Sequence, residues 1–171
     1  MLPRRVWDEL SGKWPKAYWD DWMREPEQRN GRQFLRPEVC RTYHFGKKGT
    51  SNNQFGSHLD NIKLNDEPVR FREMDLSYLE PEPFRNTFVA QVQAAPRMSV
   101  YQVANLVGGV TAAPATVRID YNGHAQFEAV AQKLGVMRDL KAGIPRTAYM
   151  GVVSFWHGNT KVFVTPHDFG R

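Results

Sequence analysis

An α/β fold is predicted for this 171-residue chain by three features. Runs of β-branched and aromatic residues at 98–103, Thr116–Tyr121, 149–156 and 161–165 read as strands. Residues 84–94 and 124–134 carry helical periodicity. Hydrophobic residues make up 41% of the chain and charged residues 24%, enough apolar matter for a buried core.

At the start of the chain, Leu2, Val6, Trp7 and Leu10 recur at helical spacing and predict a short amphipathic helix ending at Ser11-Gly12. Pro15 suits the first turn of a second helix over 16–25, with Pro26 as its stop. Tyr18, Trp19, Trp22 and Met23 give that helix an aromatic side, which caps a core or lines a site. Residues 36–45 read as a strand holding Cys40 as a buried member, followed by a loop over 46–58 rich in glycine, amides and hydroxyls. The acidic stretch 59–83, ending in Glu80-Pro81-Glu82-Pro83, reads as a linker. Beyond it the helices and strands alternate as a small α/β unit over 84–171, with Asn122-Gly123 opening a helix and His157-Gly158-Asn159-Thr160 marking a hairpin. The expected division is therefore 1–58, a linker at 59–83, and 84–171.

This composition excludes a disordered tail, a low-complexity polymer and a heptad coiled coil. No window approaches the roughly 18 consecutive apolar residues of a membrane span, and Met1-Leu2-Pro3-Arg4-Arg5 lacks the apolar run of a signal peptide. With Cys40 as the lone cysteine, neither an internal disulfide nor a multi-cysteine zinc cage can form. The net charge of +5 is distributed in blocks: +4 over residues 1–48, −4 over 49–83 and +5 over 84–171. A phosphate-tracking surface gathers its cations into one stripe, so no nucleic-acid partner is expected.

Two places offer chemistry. Asp20 and Asp21 are adjacent, and neighbours on a helix point about 100° apart, so they cannot clamp one proton or one metal as a facing pair. Asp20 reads either as the ion-pair partner of Arg24, four residues on, or as a single carboxylate beside Trp19. In the second case the Trp19 face would receive the apolar face of a sugar ring and Asp20 would accept a hydroxyl proton as general base. The loop 46–58 places Lys47, Lys48, Thr50 and Ser51 among glycines, parts that suit a diphosphate, although no Walker pattern is present; an ordinary surface loop has the same composition. His44, His58, His124, His157 and His167 are scattered without zinc-ligand spacing.

Taken together, these segments resemble the N-acetylglucosaminyltransferase I family. The resemblance is carried by Lys13-Trp-Pro-Lys-Ala-Tyr-Trp-Asp-Asp-Trp-Met-Arg24, Pro26-Glu-Gln-Arg29, Arg36-Pro-Glu38, Ile62-Lys-Leu-Asn65, Asp75-Leu-Ser-Tyr-Leu79, Leu134-Gly-Val-Met137, Asp139-Leu-Lys141 and Pro145-Arg146. It implies the C-terminal part of a GT-A type nucleotide-sugar transferase domain followed by a small α/β domain. The implied reaction is inverting transfer of N-acetylglucosamine from UDP-N-acetylglucosamine to the 2-hydroxyl of the α-1,3-arm mannose of high-mannose N-glycans. By motif position the resemblance makes Asp20 the catalytic base, Trp19 its sugar-contacting neighbour, and Thr50 and Ser51 the contacts to the donor phosphates. It also implies Mn²⁺, bound by an acidic triplet outside this sequence, and a lumenal Golgi location conferred by a membrane anchor upstream. With those parts expected upstream of Met1, the 171 residues alone are expected to be inactive. The alternatives are a protein O-mannose β-1,2-N-acetylglucosaminyltransferase-like enzyme and a non-catalytic carbohydrate- or protein-binding remnant. Phe34 stands where the family usually has a paired cysteine, and the stretch 104–115 is apolar where the family is polar.

Overall fold

A computed structural model describes residues 2–42, 64–106 and 114–170. Its centre is a three-stranded sheet of β1 (Thr116–Tyr121), β4 (Val153–His157) and β5 (Thr160–Pro166). The middle strand, β5, pairs parallel with β1 and antiparallel with β4. A central strand covered on both faces reads as a continuous apolar run, and Val162, Phe163 and Val164 of β5 are all buried. Because side chains alternate, these residues serve two layers. Val162 and Val164 join Val117, Ile119 and Tyr121 in a core closed by Phe127, Val130 and Ala131. Phe163 points to the other core, with Phe88, Val92, Ala95 and Val152.

Two longer helices supply those layers. The first, Pro81–Ala94, brings Phe88 and Val92, and the second, Gly123–Leu134, brings Phe127, Val130 and Ala131. The Gly123–Leu134 helix ends on Gly135 at φ 68°, and the Val136 N–H reaches back to the Ala131 carbonyl at 2.9 Å. That closure satisfies a carbonyl at the helix end that has no partner inside the helix. The hairpin predicted at 157–160 joins β4 to β5.

Several elements depart from the sequence reading. The helix expected over 84–94 begins at Pro81, within the predicted linker, because proline lacks only an N–H that the first turn leaves unpaired anyway. The rest of 64–80 contains two single 3₁₀ turns, Phe71–Glu73 and Ser77–Leu79. The strand expected over 98–103 is instead a helix, Val100–Ala104. Ser99 Oγ accepts from the Gln102 N–H at 3.3 Å and Gln102 Oε1 accepts from the Ser99 N–H at 2.8 Å, a capping box that outweighs the β-branched composition. Within 36–42 no strand forms: Cys40 makes a single parallel bridge to Leu64 and is exposed, not buried. The remainder of that expected strand lies outside the described residues.

The N-terminal region forms its own small cluster. The helix Arg4–Leu10 contributes Val6 and Leu10, Met23 joins them, and Trp14 and Trp22 cover them. The helix expected over 16–25 is shortened to a single turn. Tyr18 takes φ 53°, so a one-turn helix begins only at Trp19 and ends at Trp22. Pro26 then starts a separate turn, Pro26–Arg29, closed by Asn30 at φ 45°. Numbered in chain order, these helices are α1 (Arg4–Leu10), α2 (Trp19–Trp22), α3 (Pro26–Arg29), α4 (Pro81–Ala94), α5 (Val100–Ala104) and α6 (Gly123–Leu134).

Candidate active site

Trp14 is the hub of an aromatic cluster. Its ring lies 5.4 Å from that of Trp7, 5.5 Å from Trp22 in an edge contact, and 5.9 Å from Trp19 with only 23° between planes. Trp22 and Trp14 lie against the Val6–Leu10–Met23 core, whereas Trp19 remains 55% exposed. Trp19 is thus stacked on a supported ring and still open to solvent. An indole held in this way offers a rigid apolar platform.

The two adjacent carboxylates on α2 have separate fates. Asp20 is exposed, and among the described residues its carboxylate has neither an ion pair nor a hydrogen bond. Asp21 is engaged on both oxygens: Lys141 Nζ donates to Oδ2 at 2.7 Å and Arg24 Nη1 to Oδ1 at 3.4 Å. The ion pair considered for Asp20 and Arg24 is therefore absent, because Arg24 is taken by Asp21 and, at 2.9 Å, by Asp139. Asp139 Oδ2 also receives Arg146 Nε at 2.7 Å, and Lys141 reaches Glu25 at 3.8 Å. The hydrogen bond from Lys141 holds the Asp21 carboxyl below its ordinary range, and Asp21 in turn raises Lys141.

Lys141 owes its place to a small hairpin of β2 (Leu140–Lys141) and β3 (Ile144–Pro145). Its two turn residues, Ala142 and Gly143, sit at φ 49° and 74°, the left-handed pair that a two-residue turn needs to follow strand twist. The Arg146 N–H bonds the Asp139 carbonyl at 2.9 Å, which sets Asp139 and Arg146 across from each other at the open end. Sequence reasoning singled out none of Asp139, Lys141 or Arg146 as site residues. The one local signal was the Ala142-Gly143 turn between Lys141 and Ile144. Beside the cluster runs an open groove of about 310 Å³, lined by Arg24, Pro26, Arg29, Ile144 and Met150 among others.

Thr50 and Ser51, with the rest of the 46–58 loop, His44 and His58, lie outside the described residues. His124 pairs with Glu128 across one helical turn, and His167 is exposed. His157 is partly buried, with its Nε2 unpaired among the described residues. Among those residues no three His, Cys, Asp or Glu side chains converge to hold a metal ion, and Asp21 is already occupied by two cations. The described residues do not fit a resident Mn²⁺.

Comparison with known proteins identifies the class first: the chain is related to glycosyltransferases over nearly its whole length. More particularly, residues 1–169 match the GNT-I family, and the chain belongs to that family. It is similar to an Arabidopsis thaliana protein named α-1,3-mannosyl-glycoprotein 2-β-N-acetylglucosaminyltransferase, with 48% identity over 170 residues. That alignment covers 98% of this chain and 38% of the relative, so the chain spans well under half the relative's length. The resemblance drawn from the Trp-Pro-Lys-Ala-Tyr-Trp-Asp-Asp segment and its companions is borne out.

Proposed function

We propose that this segment supplies the acceptor side of an inverting β-1,2-N-acetylglucosaminyl transfer. The donor is UDP-N-acetylglucosamine and the acceptor the 2-hydroxyl of the α-1,3-arm mannose on a high-mannose N-glycan, processed in the Golgi lumen. Family membership and the name of the Arabidopsis relative support the activity. The observation that carries the site is the contrast on α2: Asp21 is consumed by cations, while Asp20, adjacent in sequence to the half-exposed Trp19, stands exposed.

In this reading the mannose ring lies on Trp19, whose rear is supported by Trp14. Asp20 accepts the proton of the 2-hydroxyl as that oxygen forms its bond to C1 of the donor sugar. The bond from C1 to the diphosphate oxygen breaks on the opposite side, UDP departs, and an α-linked donor gives a β-linked product. Positioning of the hydroxyl against the base and the donor carbon supplies much of the rate. Thr50 and Ser51 are the proposed hydroxyl donors to the diphosphate. Manganese, expected from the resemblance, is assigned no described residue of this chain.

The test is Asp20→Asn in a protein spanning the family's full length. Turnover is expected to fall by roughly 10²–10⁴-fold, the usual cost of removing a general base, with the donor KM unchanged. Asp21→Asn retains an oxygen for Lys141 and is expected to lose much less. Equal losses at the two positions would refute the assignment of the base.

A further inference from the structure

We propose that Lys141, gripping Asp21 from the β2–β3 hairpin, is a positioning residue that fixes the aim of Asp20 and Trp19. This rests on the reading of Asp20 as the base.

The argument starts from how little holds α2 by itself. A one-turn helix is far below the length at which a helix is stable alone, so its orientation must come from outside. At its start, Tyr18 is in the left-handed region and donates no capping side chain. Two sets of contacts remain. The contacts of Trp19 and Trp22 with Trp14 and the burial of Met23 fix one side. The other side is fixed by the 2.7 Å bond from Lys141 to Asp21, reinforced by Arg24 on Asp139 at 2.9 Å.

Those anchors come from about 115–120 residues further along the chain, so they set a tertiary angle that local sequence does not impose. Asp20 and Asp21 share one rigid helical turn. Any rotation that follows release of Asp21 swings Asp20 and Trp19 with it. Displacement of a reacting group by about 1 Å costs up to 10²-fold in rate. The cluster thus couples the hairpin to the proposed chemistry without touching substrate.

The experiment is a double-mutant cycle on turnover in a full-length family protein carrying this segment. Lys141→Met is expected to lower kcat by about 10- to 10²-fold with the donor KM unchanged, and Lys141→Arg to restore most of the loss. In an Asp20→Asn background, where no base remains to be aimed, Lys141→Met is expected to add no more than about twofold. A second readout is independent of activity: the circular-dichroism couplet of the stacked Trp14–Trp19 pair should weaken in Lys141→Met and recover in Lys141→Arg. Should Lys141→Met fail to fold, the exchange Asp21→Lys with Lys141→Asp replaces it and should retain both the couplet and more than a tenth of the turnover.

Full, additive losses from Lys141→Met in both backgrounds would overturn the positioning role while leaving Asp20 as base. So would an unchanged kcat in Lys141→Met. If Asp20→Asn by itself leaves turnover intact, the base assignment falls, and the positioning proposal falls with it.

Discussion

Replacement of Trp14 by alanine is the most informative single perturbation of the N-terminal cluster. It removes three ring contacts at once, with Trp7, Trp19 and Trp22 at 5.4, 5.9 and 5.5 Å. Aromatic pairs contribute roughly 0.5–1.5 kcal/mol each beyond simple area burial, which sets an upper range of about 1.5–4.5 kcal/mol. Trp7 and Trp19 are 48% and 55% exposed, so the lower half of that range applies to them. Loss of the half-buried indole's own transfer free energy adds to this. A cost of about 2–3 kcal/mol results, below the 3–5 kcal/mol of a fully buried Trp→Ala change. For a chain of this size it corresponds to a fall in Tm of about 4–12 °C.

Urea unfolding followed by far-ultraviolet circular dichroism, alongside tryptophan fluorescence, measures this directly. Trp14→Phe should retain a substantial part of the stability, since a smaller ring still reaches its neighbours. In a transfer-competent protein, Trp14→Ala should raise the acceptor KM more than the donor KM, because the support behind Trp19 is gone. A destabilisation below about 0.5 kcal/mol, the low end for a single aromatic pair, would refute the view of Trp14 as the hub.

Gly151 is at φ 79°, and a β-carbon there would stand 2.9 Å from Pro166 Cγ, so Gly151→Ala should cost about 1–3 kcal/mol in urea unfolding. The Asp21–Lys141 pair should contribute evenly across neutral pH, because the two shifts run in opposite directions. Asp21 is lowered, so its contribution is present above the ordinary carboxylate value of about 3.9 and is lost as pH falls through its folded value. Lys141 is raised, so its contribution is full below the ordinary value of about 10.4 and fades only as pH climbs through its folded value. Stability titrations of the wild type and Lys141→Met should therefore run parallel between those limits and converge at the acid end. Asp139→Asn keeps an oxygen but removes the negative charge between the Arg24 and Arg146 guanidiniums, and should cost about 1–2 kcal/mol, between exposed and buried pairs. Adding Arg146→Gln should recover part of that loss in thermal melts; strictly additive losses would show that the shared carboxylate charge is unimportant.

How much of this was legible in the sequence depended on whether the deciding interactions were local. The sequence reading of β1 matches its observed bounds because polar and apolar residues alternate along Thr116–Tyr121, and that of α6 comes within one residue because Asn122-Gly123 marks its start. The hairpin at 157–160 was visible for the same reason. The reading of 98–103 failed where a local signal was present but outweighed: Ser99 and Gln102 form a capping box inside a run of strand formers. The helix expected over 16–25 starts late because of a single residue, since nothing in the composition marks Tyr18 for the left-handed region, and it also ends early, at Trp22. The one partner the sequence reading offered Arg24 is Asp20, four residues back, whereas the acceptors it uses are Asp21, three residues back, and Asp139, 115 residues away. Spacing rules see only one helix at a time; they cannot see a hairpin folded against it.

The same limit explains why two neighbouring aspartates come to serve different ends. On one helical turn they point in directions about 100° apart, so only one of them can face the hairpin. The facing one, Asp21, enters a cluster of Arg24, Lys141 and Arg146 with Glu25 and Asp139. Three carboxylates there meet three cations, so the cluster docks α2 while adding little net charge of its own. Asp20, on the other side of the turn, stays outside the cluster and exposed, one residue after Trp19. The hairpin makes that balance possible, because the left-handed turn at Ala142 and Gly143 brings Asp139 and Arg146 opposite one another with Lys141 between them in sequence. The carboxylate left over is the one the proposed reaction needs, and the arrangement that leaves it over is built by residues that never meet the substrate.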